Sequence, residues 1–240
     1  MDGLFLVKLF LSFVIGSIWV TSATIIAEKM GTKLGGVIAG IPSTMVIALF
    51  FIGWTQSPVV ASESTTLMPI ILGINAICIM TYVLVTETNF YLSILISLAL
   101  WFILSLGLVS LNPNNFIYSL VGCILLSIPS YYILEIKSDI SSQGKRDANF
   151  SFPQLLFRGI LSGTIITFAV IISKITNNPL IGGIFASFPA VILSTIIITH
   201  FAHGRSFSCA VIKALMISAT TVSYTHLRAH ETSLHLVCRL

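Results

Sequence analysis

Charge is what this sequence has least of. Asp, Glu, Lys and Arg make up 8% of its 240 residues, against 56% for hydrophobic residues, where soluble domains carry roughly 25% charged residues. A water-soluble domain is thereby excluded, and the chain reads as all-α, a polytopic bundle of transmembrane helices. Cysteine is scarce too: of four, Cys78, Cys123 and Cys209 each fall inside an apolar run, with no C-x-x-C spacing, which excludes a disulfide framework and a cysteine metal site. Catalytic signatures are missing as well: there is no G-x-S-x-G, no H-E-x-x-H and no phosphate loop. Asp2, Glu28, Glu63, Glu87, Glu135, Asp139 and Asp147 all fall at the ends of apolar runs or between them. That pattern argues against an enzyme, against a proton pump with an acid at mid-depth, and against any cofactor or metal. The formal net charge of +4 belongs to loops, where it speaks of membrane topology and not of nucleic acid.

The last residues are read apart from the rest. From Val222 the chain runs Val-Ser-Tyr-Thr-His-Leu-Arg-Ala-His-Glu-Thr and closes on Leu236-Val237-Cys238-Arg239-Leu240, which resembles one reading frame of a transposase-type sequencing-library adapter. Residues 222–240 are therefore taken as a non-native tail and set aside from fold reasoning. Without its two Arg and one Glu, the 12 basic and 8 acidic residues become ten and seven.

Apolar runs of about 20 residues, enough to cross roughly 30 Å of hydrocarbon, fall near 4–27, 34–54, 67–86, 91–111, 115–135, 154–174, 180–201 and 207–221. Eight spans are visible. Between them lie short turns such as Gln56-Ser57-Pro58, Asn112-Pro113-Asn114-Asn115 and Asn177-Asn178-Pro179. The one long charged connection, 137–152, divides a first membrane repeat, 1–136 with five spans, from a second at 153–221. The first run is too long and too poor in leading positive charge for a cleaved signal peptide, so it is expected to remain as a span.

What the chain has in plenty is self-similarity. Leu34-Gly35-Gly36-Val37-Ile38-Ala39-Gly40-Ile41-Pro42 returns as Ile181-Gly182-Gly183-Ile184-Phe185-Ala186-Ser187-Phe188-Pro189, and the same shift of 147 positions carries Phe10 onto Phe157, Gly16 onto Gly163 and Ile25 onto Ile172. Five spans, an odd number, precede the second copy, so it enters the membrane inverted. Placing the N-terminus outside puts Lys29, Lys33, Lys137, Lys145, Arg146, Arg158 and Arg205 on the cytoplasmic side, against Lys174 and Lys8 outside. A complete repeat would make ten spans, five plus five; a natural eight-span form is the alternative.

Within the repeated motif, Pro42 and Pro189 lack an amide hydrogen and leave the carbonyls of Ile38 and Phe185 without their helical partners, which kinks or breaks a helix. Such a gap persists in hydrocarbon only where protein or water fills it. Ser43 and Thr44 add hydroxyls after the first proline, whereas Ala190 and Val191 follow the second. Half-helix N-termini favour anions, and two breaks entering from opposite faces would meet where inverted-repeat transporters hold substrate. Gly36, Gly40, Pro42, Ser43, Thr44, Gly183, Ser187 and Pro189 are thus candidates to line a substrate path, with Asn75 from the third span. A second reading stands beside this one: Gly36 and Gly40 form G-x-x-x-G, and Gly183/Ser187 is small-x-x-x-small, a pattern that packing alone explains.

Asn75 also suits an interhelical hydrogen bond. Lys8 and Arg158 are within reach of an interface and are expected to snorkel. His200 and His203 end the seventh span and lack a third ligand, which favours an interfacial pair over a metal site. Pro69 and Pro129 are read as kinks or span-end turns.

The doubled G-G-x-x-A-x-x-P element, carried by Gly35, Gly36, Ala39 and Pro42 and by Gly182, Gly183, Ala186, Phe188 and Pro189, resembles that of small uncharacterised multi-spanning inner-membrane proteins of prokaryotes, including the GlpM-type proteins. The resemblance implies a prokaryotic cytoplasmic membrane protein and brings no substrate. Two functions remain open: a permease moving a small molecule or ion by rocking one inverted half against the other, and a non-transporting scaffold or assembly factor that packs through small-residue faces. The expected partners are the lipid bilayer, a small solute, and a second copy of the chain if the protein is a homo-oligomer.

Overall fold

The computed structural model describes residues 3–29, 42–111, 115–137 and 150–216. Gly36, Gly40, most of the charged connection 137–152 and the tail 222–240 lie outside the described residues. Those described are helices and short turns, with no strand among them. In chain order the helices are α1 (Gly3–Lys29), α2 (Ser43–Thr55), α3 (Pro58–Ser64), α4 (Met68–Val85), α5 (Phe90–Leu111), α6 (Phe116–Lys137), α7 (Phe152–Thr176), α8 (Pro179–Ala186), α9 (Ala190–His203) and α10 (205–216).

Local chemistry sets their ends. Proline opens α3, α4, α7 and α8, where its missing amide costs nothing. Ser57 caps α3 by accepting from the Val60 amide at 3.2 Å, and Ser151 with Gln154 forms a capping box on α7. Asn178 accepts from the Leu180 amide at 3.0 Å to start α8. Between α9 and α10 the chain turns at Gly204, whose φ of 83° suits a residue without a β-carbon.

Among the described residues, six helical stretches are long and apolar enough to cross a membrane: Gly3–Ile26, Met68–Val85, Phe90–Leu111, Phe116–Ile136, Phe152–Thr176 and Pro179–His203, the last made of α8 and α9 together, with Ser43–Thr55 a shorter apolar helix. The chain is an integral membrane protein on the length and composition of these helices. Their outward faces are apolar, with Leu95, Ile103, Leu125, Ile128 and Phe168 exposed, as lipid requires. One reading of the sequence changes. The stretch after Thr55, expected as a turn, forms the seven-residue helix α3, because Ser57 and Pro58 supply a complete start signal. Of the two prolines read as kinks or span-end turns, Pro69 sits in the first turn of α4 and Pro129 lies inside α6.

The bundle is built around α1 and α7. Lys174 Nζ lies 3.6 Å from the ring centre of Phe5, Ser12 and Thr167 share a hydrogen bond at 3.1 Å, a β-carbon on Gly16 would come 3.6 Å from Gly163 Cα, and Gly159 sits against Thr21. Positions fall along α1 as they rise along α7, so these two helices are antiparallel. Their close approach depends on glycine: a β-carbon on Gly163 would stand 2.7 Å from the Phe13 carbonyl oxygen. Beside this pair, α4 packs on α6, where Gly122 meets Ile70 and Gly73 meets Cys123 and Leu126; here positions rise together and the helices are parallel. One core cluster joins Ile79, Tyr82 and Leu134 of the α4–α6 pair to Ile196 of α9 and Ile212 of α10.

Candidate functional site

The segment expected as one span at 180–201 is broken in the middle. Helix α8 stops at Ala186, and the Ser187 hydroxyl turns back to donate to the Gly183 carbonyl at 2.8 Å. Its amide donates to the carbonyls of Gly183 at 3.1 Å and Ile184 at 3.0 Å, and the Phe188 amide to Phe185 at 3.2 Å. The Phe185 carbonyl is therefore not left open as the sequence suggested: the chain tightens before Pro189 and delivers another amide to it. Pro189 has φ −76° and ψ 52° and precedes α9; Pro42 has φ −74° and ψ 61° and precedes α2. Neither following helix has a side-chain cap. Ser43 and Thr44 are buried at the start of α2.

The helices flanking the two prolines share a core cluster. Met45 and Ala48, just after Pro42, share one cluster with Ala186, just before Pro189, and with Ile166 and Ala169 of α7. Asn75 joins the second break from α4: its Nδ2 donates to the Ser187 carbonyl at 3.4 Å, and its Oδ1 accepts from Trp101 Nε1 of α5 at 2.6 Å. Trp101 meets Phe188 edge to face, ring centres 5.1 Å apart. A cavity of about 10 Å³, room for about one water, lies between α4, α5 and α9 against Cys78, Ser97 and Pro189. The structure thus gathers Asn75, Ser187 and Pro189 at one place, with Gly183 one turn away on α8, where it packs on the Ser64 carbonyl of α3. Ser43 and Thr44 stand apart from this place, at the start of α2 after Pro42, whereas Asn75 bonds Trp101 and the Ser187 carbonyl.

Sequence reasoning missed the residues on α5 that complete this place. The buried residues of α5 are Ser93, Ser97, Trp101 and Ser105, one every fourth position, a period legible in the sequence as a face of three serines and the indole. It also passed over Lys213, which is buried in α10 and pairs with Glu135 of α6 at 2.7 Å. A second ion pair, Arg205 with Glu87 at 2.7 Å, again links α10 to the first half of the chain.

Other polar candidates stay at helix ends. Lys8 Nζ donates to the Trp54 carbonyl at 2.7 Å and lies 5.0 Å from that ring, meeting the last turn of α2, where its charge complements exposed carbonyls. Arg158 is buried, its guanidinium 5.5 Å from the Phe150 ring. His200 stacks on Phe90 at 4.0 Å and bonds Tyr82 Oη at 3.4 Å, while His203 faces Phe207. The two histidines thus have different neighbours, and no group of three or more metal-ligating side chains occurs among the described residues.

A family described as "Protein of unknown function (DUF3147)" matches residues 9–113 and 155–227 of the chain, the second match running six residues past Thr221. No curated protein and no solved structure matches.

Proposed function

The chain belongs to DUF3147, a family of unknown function, and we propose that it is a permease, a non-enzymatic membrane protein that moves a small solute by rocking one inverted repeat against the other. The observation that carries this reading is the antiparallel crossing of α1 and α7 at Gly16 and Gly163, two positions related by the 147-residue shift. Residues that correspond in a duplicated chain meet each other only on an axis relating the copies, and an antiparallel meeting gives the copies opposite directions through the bilayer. The same shift carries α2 onto the first 13 residues of α9 and Pro42 onto Pro189, with their like dihedral angles.

The family match adds to it. Its two segments begin at residues 9 and 155, within one residue of that shift, and α6 falls between them. A unit that crosses an even number of times, followed by one connecting span, delivers the next unit upside down. Broken helices backed by an inverted copy are the usual build of alternating-access transporters, because non-helical backbone at depth is tolerated where it lines a cavity. The site assigned to the solute is the second break with Asn75, together with Gly36, Gly40, Pro42, Ser43 and Thr44 of the first. The membrane is the cytoplasmic membrane of a prokaryote with the N-terminus outside, which puts Arg158, Arg205 and the charged connection inside.

The test is solute flux into liposomes carrying the full chain, over a broad panel of sugars, polyols, amides, amino acids and ions. Flux above empty liposomes that drops in Pro189→Ala and Pro42→Ala at equal protein content supports the permease. No flux for any solute, together with a stable stoichiometric partner retained in mild detergent, replaces it with the scaffold reading.

A further inference from the structure

We propose that the end of the bundle where α1 begins holds the phosphate of an anionic phospholipid between Lys8 and Lys174. The starting point is an imbalance of charge. Where α10 meets the first half of the chain, Arg205 and Lys213 are each matched by a carboxylate. Lys8 and Lys174 are not: among the described residues neither pairs with an acid, and Glu63, on the α3 helix that packs nearby, pairs with neither. Lys8 is held instead by the Trp54 carbonyl at 2.7 Å, and Lys174 by the Phe5 ring, 3.6 Å from its centre. The carbonyls at the end of a helix amount to about half a negative charge, and a ring face carries no net charge. Two full positive charges therefore stay uncompensated. Each ammonium also has three N–H donors, and of these six the described chain meets one, through Trp54.

The groups form one place. Phe5 and Lys8 are three positions apart on α1, which puts them on the same side, one turn from each other. Helix α2 ends beside Lys8 at Trp54, and Gln56, two residues on, donates from Nε2 to Ser173 Oγ at 3.0 Å. Ser173 directly precedes Lys174. The contacts thus close a ring through the ends of α1, α2 and α7, with a lysine on either side of the last turn of α2. The surface below this ring selects the occupant. Trp54 is exposed, and so are Phe50 and Val46, one and two turns back along the same face of α2. An apolar strip therefore leads from the lysines into the depth of the hydrocarbon. A free anion has no use for such a strip, whereas a phospholipid lays its acyl chains along it while its phosphate oxygens accept from the ammonium groups. Tryptophan at headgroup level fits the same placement. This site does not depend on transport.

The experiment uses the full chain with Trp19→Phe and Trp101→Phe, so that Trp54 alone fluoresces among the tryptophans. The protein is placed in bilayers of brominated phosphatidylcholine, which quench Trp54, and unbrominated phosphatidylglycerol or phosphatidylcholine is titrated in. Phosphatidylglycerol is expected to relieve the quenching at a several-fold lower mole fraction, each lysine contributing about fivefold to the preference. Lys8→Gln and Lys174→Gln should each remove about that factor, and Lys174→Arg should keep it. Native mass spectrometry of the chain with its tryptophans intact gives a second reading: phosphatidylglycerol retained over phosphatidylcholine, and less of it in the double Lys→Gln variant. Equal relief by the two lipids overturns the site. A preference that survives the double variant overturns the role of the lysines. A preference abolished by inorganic phosphate, but not by sodium chloride of equal ionic strength, makes this a site for a free anion and overturns the lipid.

Discussion

Replacing Gly183 by alanine tests the seam between the halves. A β-carbon at this position would fall well under 3.0 Å from the Ser64 carbonyl oxygen, at 3.0 Å from its carbonyl carbon and 3.3 Å from its Cα. All three are backbone atoms of one residue, so no side-chain rotation relieves the overlap. To regain an ordinary contact, α3 must retreat from α8 by about 1 Å, in the range where overpacking costs about 1–3 kcal/mol. The retreat also strains the bond from Ser64 Oγ to the Pro179 carbonyl, now 2.8 Å, a further loss of about 0.5–1.5 kcal/mol. Against this, alanine gains up to about 1 kcal/mol of helix propensity over glycine. The net is a destabilisation of roughly 1–3 kcal/mol, or a fall in Tm of about 2–12 °C at the ~2–4 °C per kcal/mol of chains this size. Thermal unfolding in detergent with added lipid reads it. Gly107→Ala is the control: nothing lies within 4 Å of its added carbon, so only propensity acts and Tm rises. A Gly183→Ala protein that unfolds at or above the parent temperature, with Gly107→Ala behaving as stated, refutes the close packing of α8 on α3.

Three further outcomes follow from the same geometry. Ser12→Cys with Thr167→Cys, at positions whose oxygens lie 3.1 Å apart, should form a disulfide under mild oxidation, read as two fragments that stay joined after cleavage in the 138–149 connection; failure to cross-link breaks the antiparallel pairing of α1 with α7. Trp101→Phe removes the donor to Asn75 Oδ1 and should cost about 1–2 kcal/mol, with Asn75→Leu in the same chain costing less than the sum of the two singles; strict additivity would dissolve the pair. Glu135→Gln should lower Tm more than Glu87→Gln, because Lys213 is buried while Arg205 and Glu87 are both exposed; the reverse order would show that burial of Lys213 does not matter.

Much of the fold is legible in the sequence because the bilayer permits so few solutions: a long apolar run has little choice but to be a helix. The break before Pro189 is legible for the same reason, since proline cannot continue the ladder and the repeat marks where it falls. What the sequence hides is partnership. Asn75 is plainly polar in an apolar run, yet nothing local says that Trp101, on the next helix, holds its oxygen. The open carbonyl assigned to Phe185 is a local inference that fails because two successive amides, Ser187 and Phe188, fold back before the proline. Helix α3 escapes notice because seven residues between two spans resemble a loop until Ser57 and Pro58 are weighed as a cap. Lys213 is hidden in another way: its compensating charge lies on α6, which no periodicity on α10 announces.

The pairing of α1 with α7 also fixes an order of events during synthesis. Ser12 and Thr167 are separated by 155 positions, and at ~5–20 residues per second the ribosome needs roughly 10–30 s to make the second after the first. Through that interval the first helix waits in lipid for the surface it was built to meet. It waits with part of its polarity folded inward, Ser12 donating to the Leu9 carbonyl at 2.7 Å and Thr24 to Val20 at 2.8 Å, as Thr167 does to Gly163 at 2.9 Å on the late-arriving helix. Those hydroxyls are met within their own helices, but Arg158 of α7 is covered only in the folded bundle, and the vulnerable period of this protein's life is set by the length of chain between the two helices.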